Sequence, residues 1–407
     1  MSGQSPLNMM QSRPSRPSRP QPPRRQGVTR RRRRLWPLLA FPAAVVIVAV
    51  GWTWGWYYAA SIADRALSGW VDREAALGRI YACGTQTIGG FPFRILTRCD
   101  QAAAAFKSNQ PPFELRAGDI AFSAALYRPT LLHGDIAGPV TLAEPGQPES
   151  LVATWSRARL SLLGLPPDEP ERVTISLHEP RLDRVTGPGS GMIFKADRVA
   201  FDGRIVAGSA RLNPVVEFSA SFAAAVAPTF HPLLAEPLRV EFDAVLRGFK
   251  DFSPKPWPVL FRDMAAAGGG IDIKTFRIER ADAIVVGTGQ LNVNADGRLD
   301  GVLHVAVAGV EHIVPLLGID QLIGKGVDRL TGGSGSQAQG LSTLDRLLPG
   351  LGGIVRESAN SSVIDAIKKM GEPTEIDKKP AVALPLRVTD GIISVGIIPV
   401  AVLPALF

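Results

Sequence analysis

The sequence predicts an α+β protein, mostly antiparallel β, in which an N-terminal transmembrane helix precedes a large curved β-sheet, groove- or tunnel-like, with a few packed helices. Three observations carry this prediction. Residues 35–63 contain no charged side chain, apolar residues alternate with a period of two through most of the chain after Phe113, and Asp-Gly pairs join alternating runs. With 407 residues, 45% of them hydrophobic, there is enough apolar material for a sizeable core.

Residues 1–34 hold ten arginines and no acidic residue, so the formal charge of +8 belongs to the tail, and the remainder carries 8 − 10 = −2. Repeated Arg-Pro steps and few large apolar residues predict a disordered cytoplasmic tail. Phosphate neutralisation by such an arm is set aside because Arg30, Arg31, Arg32, Arg33 and Arg34 abut the uncharged run directly. That position marks a topology signal, and no nucleic acid is expected as a partner.

The uncharged run exceeds the roughly 20 residues that a spanning helix needs, and residues 35–60 are assigned as a single-pass transmembrane helix. Trp36 at one end and Trp52, Trp54, Trp56, Tyr57 and Tyr58 at the other suit the headgroup levels. The arginine cluster places the N-terminus in the cytoplasm and the bulk of the chain beyond the membrane. A cleaved secretory signal has a shorter apolar region followed by small residues, and this run ends in bulky aromatics. Residues 61–82 follow as an amphipathic helix, with Ala63, Ala66, Leu67, Trp70, Glu74, Leu77 and Tyr81 on one stripe whose apolar character only Glu74 breaks.

Cys83 and Cys99 are the only cysteines. On the far side of the membrane thiols are oxidised, so the pair is expected to form a disulfide; with no further cysteine and no nearby histidine, a zinc site lacks ligands. The β-rich domain is expected over 83–310, with strands in GDIAFSAALY, RVTISLH, VVEFSASF and LRVEFDAVL and a hairpin around Ala295-Asp296-Gly297-Arg298. Residues 311–370 form a helical insert interrupted by the Gly/Ser linker 331–340. Residues 371–407 return as a C-terminal hairpin turning at Asp390-Gly391 and completing the sheet.

Chemistry is only imitated. GIDQLIGKG has one residue too many for a phosphate loop and glycine where the hydroxyl residue belongs. GPGSG and GGSGS lack the glycine spacing of a nucleophile elbow. The five histidines are scattered outside any ligand spacing, and the acidic residues alternate with apolar neighbours along strands. The prediction is no enzyme, no cofactor and no metal. Two segments are candidate interaction sites: Phe91, Pro92, Phe93 and Arg94 in GGFPFR, and the apolar C-terminus with Leu403, Leu406 and Phe407.

The blocks YACGTQTIGGFPFRILTRC, GTGQLNVNADGRLDGVLHVAVAG and LPLRVTDGIISVGIIPV resemble the membrane-anchored proteins of alphaproteobacteria grouped as domain of unknown function 2125. That resemblance implies a bacterial inner-membrane protein with a periplasmic body, and it transfers no catalytic residue. A weaker, fold-level likeness connects a long one-face-apolar sheet on a single anchor to the AsmA-like envelope proteins, which are associated with lipid handling. The expected function is binding or conducting a lipid or other amphiphile for envelope maintenance. The alternative is a scaffold that recruits envelope proteins; an enzyme comes third.

Overall fold

A computed structural model describes residues 36–109, 111–165, 170–253, 255–313, 364–365, 368–396 and 398–407. The arginine-rich tail with Arg30–Arg34, the linker 331–340 and most of the expected helical insert lie outside them. The chain divides into two units, one ending at Trp52 and one running from Thr53 to Phe407.

Helix α1 (Trp36–Ala76) is continuous through and beyond the uncharged run, and it is long and apolar enough to cross a membrane. The helix expected to reach residue 82 stops earlier. Gly78 adopts φ +79°, a left-handed conformation that ends helices at little cost to glycine. The carbonyl of Gly78 accepts a hydrogen bond from the Lys107 amide, which draws the chain into a sheet. Residues expected to be helical at 79–82 are therefore the first strand.

Among the described residues the strands form a seven-stranded and a sixteen-stranded antiparallel sheet, where the sequence predicted one. The two are nevertheless one meander. In chain order the strands come as β1 (Arg79–Ala82) and β2 (Thr85–Gly89), β3 (Arg94–Asp100) and β4 (Ala103–Phe106), β5 (Phe113–Ala117) and β6 (Ile120–Ala125), and β7 (Arg128–Ile136) and β8 (Val140–Ala143). The series continues with β9 (Leu151–Thr154) and β10 (Arg157–Leu163), β11 (Arg172–His178) and β12 (Arg181–Arg184), and β13 (Gly191–Lys195) and β14 (Arg198–Ser209). One member of each pair lies in the small sheet and the other in the large one, and the order β1-β4-β5-β8-β9-β12-β13 mirrors β2-β3-β6-β7-β10-β11-β14.

Each pair is thus one long strand bent at two or three residues, and the bends align into a crease. Hydrogen bonds continue the ladder across it, as from the Gly84 amide to Asp100 O, Ala102 to Gly118 O, Ala137 to Asp119 O, Ser156 to His178 O and Glu179 to Asp197 O. Gln101 and Glu179 bend the backbone at φ 56° and 50°, a region that side chains other than glycine seldom enter.

Beyond the crease only the large sheet continues, through β15 (Leu212–Ala225), β16 (Leu238–Arg247), helix α2 (Trp257–Ala266), β17 (Gly270–Arg280), β18 (Ala283–Val293) and β19 (Leu299–Ala308). A short helix, α3 (Val310–Ile313), follows. The expected C-terminal hairpin is four strands, β20 (Glu372–Ile376), β21 (Lys379–Thr389), β22 (Ile392–Val395) and β23 (Ile398–Val402), with β21 docked on β19. Its turn is the predicted one. Asp390 and Gly391 both have positive φ, 50° and 76°, as a type I′ turn requires.

Register makes one face of the large sheet continuously apolar. A row of paired positions crosses β6, β7, β10, β11, β14, β15, β16, β17, β18, β19 and β21 as Phe122, Gly134, Leu160, Ile175, Phe201, Ala220, Phe242, Phe276, Gly287, Val305 and Leu384. Parallel rows begin at Ile120 and Ala124 and are apolar or glycine throughout. The reverse face carries ion pairs such as Arg172–Asp202 at 2.9 Å and Lys274–Glu217 at 2.9 Å.

Candidate functional site

The apolar face is covered unequally along the meander. Towards the C-terminus, α2 and the chain end close over it. Met264 is 0% exposed and joins Phe249, Ile273, Leu291, Leu303, Val305 and Val388 in the largest buried cluster. Small residues on this face leave no room there. Ala244 is fully buried, and Ala220, paired between Phe201 and Phe242, is 8% exposed.

Among the described residues β1–β12 contribute no core residue to a buried cluster; in the creased part only the last bent strand does, where Ala196 and Val199 join Ala225 and Leu238, with Leu177 and Phe194 packed against them. The small sheet has its own apolar face, with Leu115 paired to Leu142, Leu142 to Leu151, and Leu182 to Phe194. Phe194 meets Phe222 of the large sheet edge-to-face at 6.5 Å, so the apolar faces of the two sheets lie on the same side of the crease. Yet Leu115, Leu142, Leu151, Leu182, Phe122, Leu132, Leu160 and Ile175 are only partly buried. Leucine and phenylalanine side chains favour full burial, worth about 1.5–3 kcal/mol each, so this surface retains apolar area that the chain itself leaves partly uncovered.

A depression of about 520 Å³ lies by α2, between Asn213–Val215 and Gly248–Lys250. Asp263 and Lys250 on its rim make it amphipathic. Among the described residues no group of three or more His, Cys, Asp or Glu could hold a metal ion.

The structure brings the predicted cysteines together: Cys83 and Cys99 are bonded, with Cα atoms 5.6 Å apart. Cys83 sits at the crease and Cys99 lies two residues before Gln101, so the bridge staples the first bent strand to the second. Helix α1 runs along the same edge. Trp70 meets Tyr81 at 4.8 Å, Gln86 Nε2 donates to Asp64 Oδ1 at 3.2 Å, and Glu74 pairs with Arg79. An edge strand exposes unpaired backbone groups, and here the helix occupies that side.

GGFPFR forms the β2–β3 turn. Gly90, at φ +95°, leaves 2.7 Å between an added Cβ and Arg94 O, so only glycine fits. The turn packs on Trp56, whose Nε1 donates to Arg94 O at 2.8 Å and whose ring meets Phe91 edge-on at 5.6 Å. Trp56, expected at a lipid interface, is 5% exposed because the hairpin covers it. Phe91 and Phe93 remain 53% and 64% exposed. A residue the sequence did not single out joins them: Tyr127, 84% exposed, lies in the β6–β7 turn, where the Leu126 amide donates to Phe93 O at 2.9 Å. Only strand register brings the two turns together, so no local signal marks Tyr127.

The C-terminal candidates are engaged within the chain. Leu403, Leu406 and Phe407 pack on the α2 cluster, the Leu403 and Leu406 amides donate to Gly391 O and Gly297 O, and the Arg262 guanidinium lies 5.3 Å from the centre of the Phe407 ring.

A family model described as "Uncharacterized protein conserved in bacteria (DUF2125)" matches residues 56–404, from the tryptophan under the hairpin to the docked tail. No curated protein matches the chain.

Proposed function

We propose that this chain, which belongs to the DUF2125 family of uncharacterised bacterial proteins, holds the hydrocarbon part of a lipid or other amphiphile against the apolar face of its creased half. The single observation that carries the reading is the contrast in burial: α2 and the chain end bury Ile273, Leu303 and Val305 of the apolar rows, whereas Phe122, Leu132, Leu160 and Ile175 of the same rows are only partly covered. Binding pockets for apolar ligands are lined in this way. The helix supports placement in the bacterial inner membrane, with the body in the periplasm, where the Cys83–Cys99 bridge would persist. No catalytic role is proposed.

A photoactivatable fatty acid, incorporated into cells and cross-linked to the full chain, tests this. Adducts on the face bearing Leu115, Leu142, Phe122 and Leu160 are the expected result, and Leu160→Arg should remove them. Adducts confined to residues 36–63 would sink the proposal. The second reading, a scaffold for envelope proteins, draws support from exposed Phe91 and Phe93 and none from the docked C-terminus.

A further inference from the structure

The exposed aromatic side chains of the two adjoining turns sit at a defined height on helix α1. The sequence places Trp52, Trp54, Trp56, Tyr57 and Tyr58 at the outer headgroup level, where the aromatic rings of a spanning helix concentrate. Trp56 belongs to that cluster, and Phe91 is fixed against it. The edge strand then runs away from this level, with Gln86 at Asp64 and Tyr81 at Trp70 further along the helix. The turns of β2–β3 and β6–β7 are thus the end of the sheet nearest the lipid.

Their composition fits that height. Phe91, Phe93 and Tyr127 are exposed, and Arg94 and Arg128 beside them are exposed cations. Rings of this kind favour the headgroup region, and arginine pairs with anionic lipid phosphates. We infer that these two hairpin tips dip into the outer headgroup layer of the membrane that α1 crosses and hold the body against it through Phe91, Phe93 and Tyr127. The inference rests on the membrane-spanning reading of α1, and it does not depend on a ligand in the creased half.

The test uses the full chain in vesicles of phosphatidylcholine and phosphatidylglycerol, labelled with an environment-sensitive fluorophore at one introduced cysteine; the native pair is bonded and does not compete. The variants are Phe93→Cys, Tyr127→Cys, Ile47→Cys in the span, and Phe230→Cys, 70% exposed and beyond the far end of β15. Labels at 93 and 127 should shift to the blue and be quenched about twofold by lipids spin-labelled near the headgroup, consistent with insertion of roughly 5–10 Å. The label at 230 should be unaffected. If 47 is quenched by deep spin labels while 93 and 127 stay in water, the inference fails and the anchor stands. If 47 is not quenched, both fall. Protection of 93 and 127 without lipid quenching points to a protein partner and also overturns the inference.

Discussion

Gly134 shows how much of the sheet is decided by single side chains. A Cβ there would lie 2.8 Å from the Phe122 ring and 3.3 Å from Leu160, so the ring lies over the bare backbone of the next strand; Phe276 does the same at Gly287. These large-beside-none pairs keep the apolar row level across strands whose other members are bulky. On the polar face the decisive residues are carboxylates. Partial burial works against Asp202, yet hydrogen bonds from Arg172 and Thr174 hold it below the usual aspartate range; Lys274 and Arg204 do the same for Glu217. A folded pKa below the unfolded one means that the native state binds fewer protons. The stability these groups contribute is complete above about pH 5 and is lost as pH falls through roughly 4 and lower. A series of melting temperatures from neutral to acid should decline in that window, and Asp202→Asn with Glu217→Gln should flatten the decline. An unchanged profile in the double variant would remove these pairs from the account.

Among the elements, the strands were legible and their folding into two sheets was not. Alternation identified β6, β11, β15, β16 and the Asp-Gly turns, because one-face burial demands a period of two. The crease escapes such a reading because a bend of two or three residues leaves alternation intact on both sides, and Gln101 and Glu179 are not residues that announce a left-handed backbone. The candidate site divides in the same way. GGFPFR reads as an exposed turn, whereas its seat on Trp56 and its neighbour Tyr127 come from packing alone. The disulfide was legible from topology and closes the outermost bent strand. Replacing Cys83 and Cys99 by serine should cost about 3 kcal/mol for a loop of this length, read as a lower urea midpoint. An equal midpoint would mean that α1 alone secures the edge.

At the scale of the molecule, the body has a sealed half and a partly covered one, and stability should follow that division. Amides of β18 and β19, under the Met264 cluster, should exchange far more slowly than those of β5, β8 and β9, which have no buried cluster behind them. Uniform protection by hydrogen exchange would contradict the contrast on which the ligand proposal depends.

The neighbour-only pairing of the bent strands has one more consequence. Every ladder up to β19 joins segments that follow one another along the chain, with no strand waiting for a distant partner. A polypeptide synthesised from its N-terminal end can therefore zip up hairpin by hairpin as it grows. The final residues arrive last and clip onto Gly297 and Gly391, latching a body already assembled behind them.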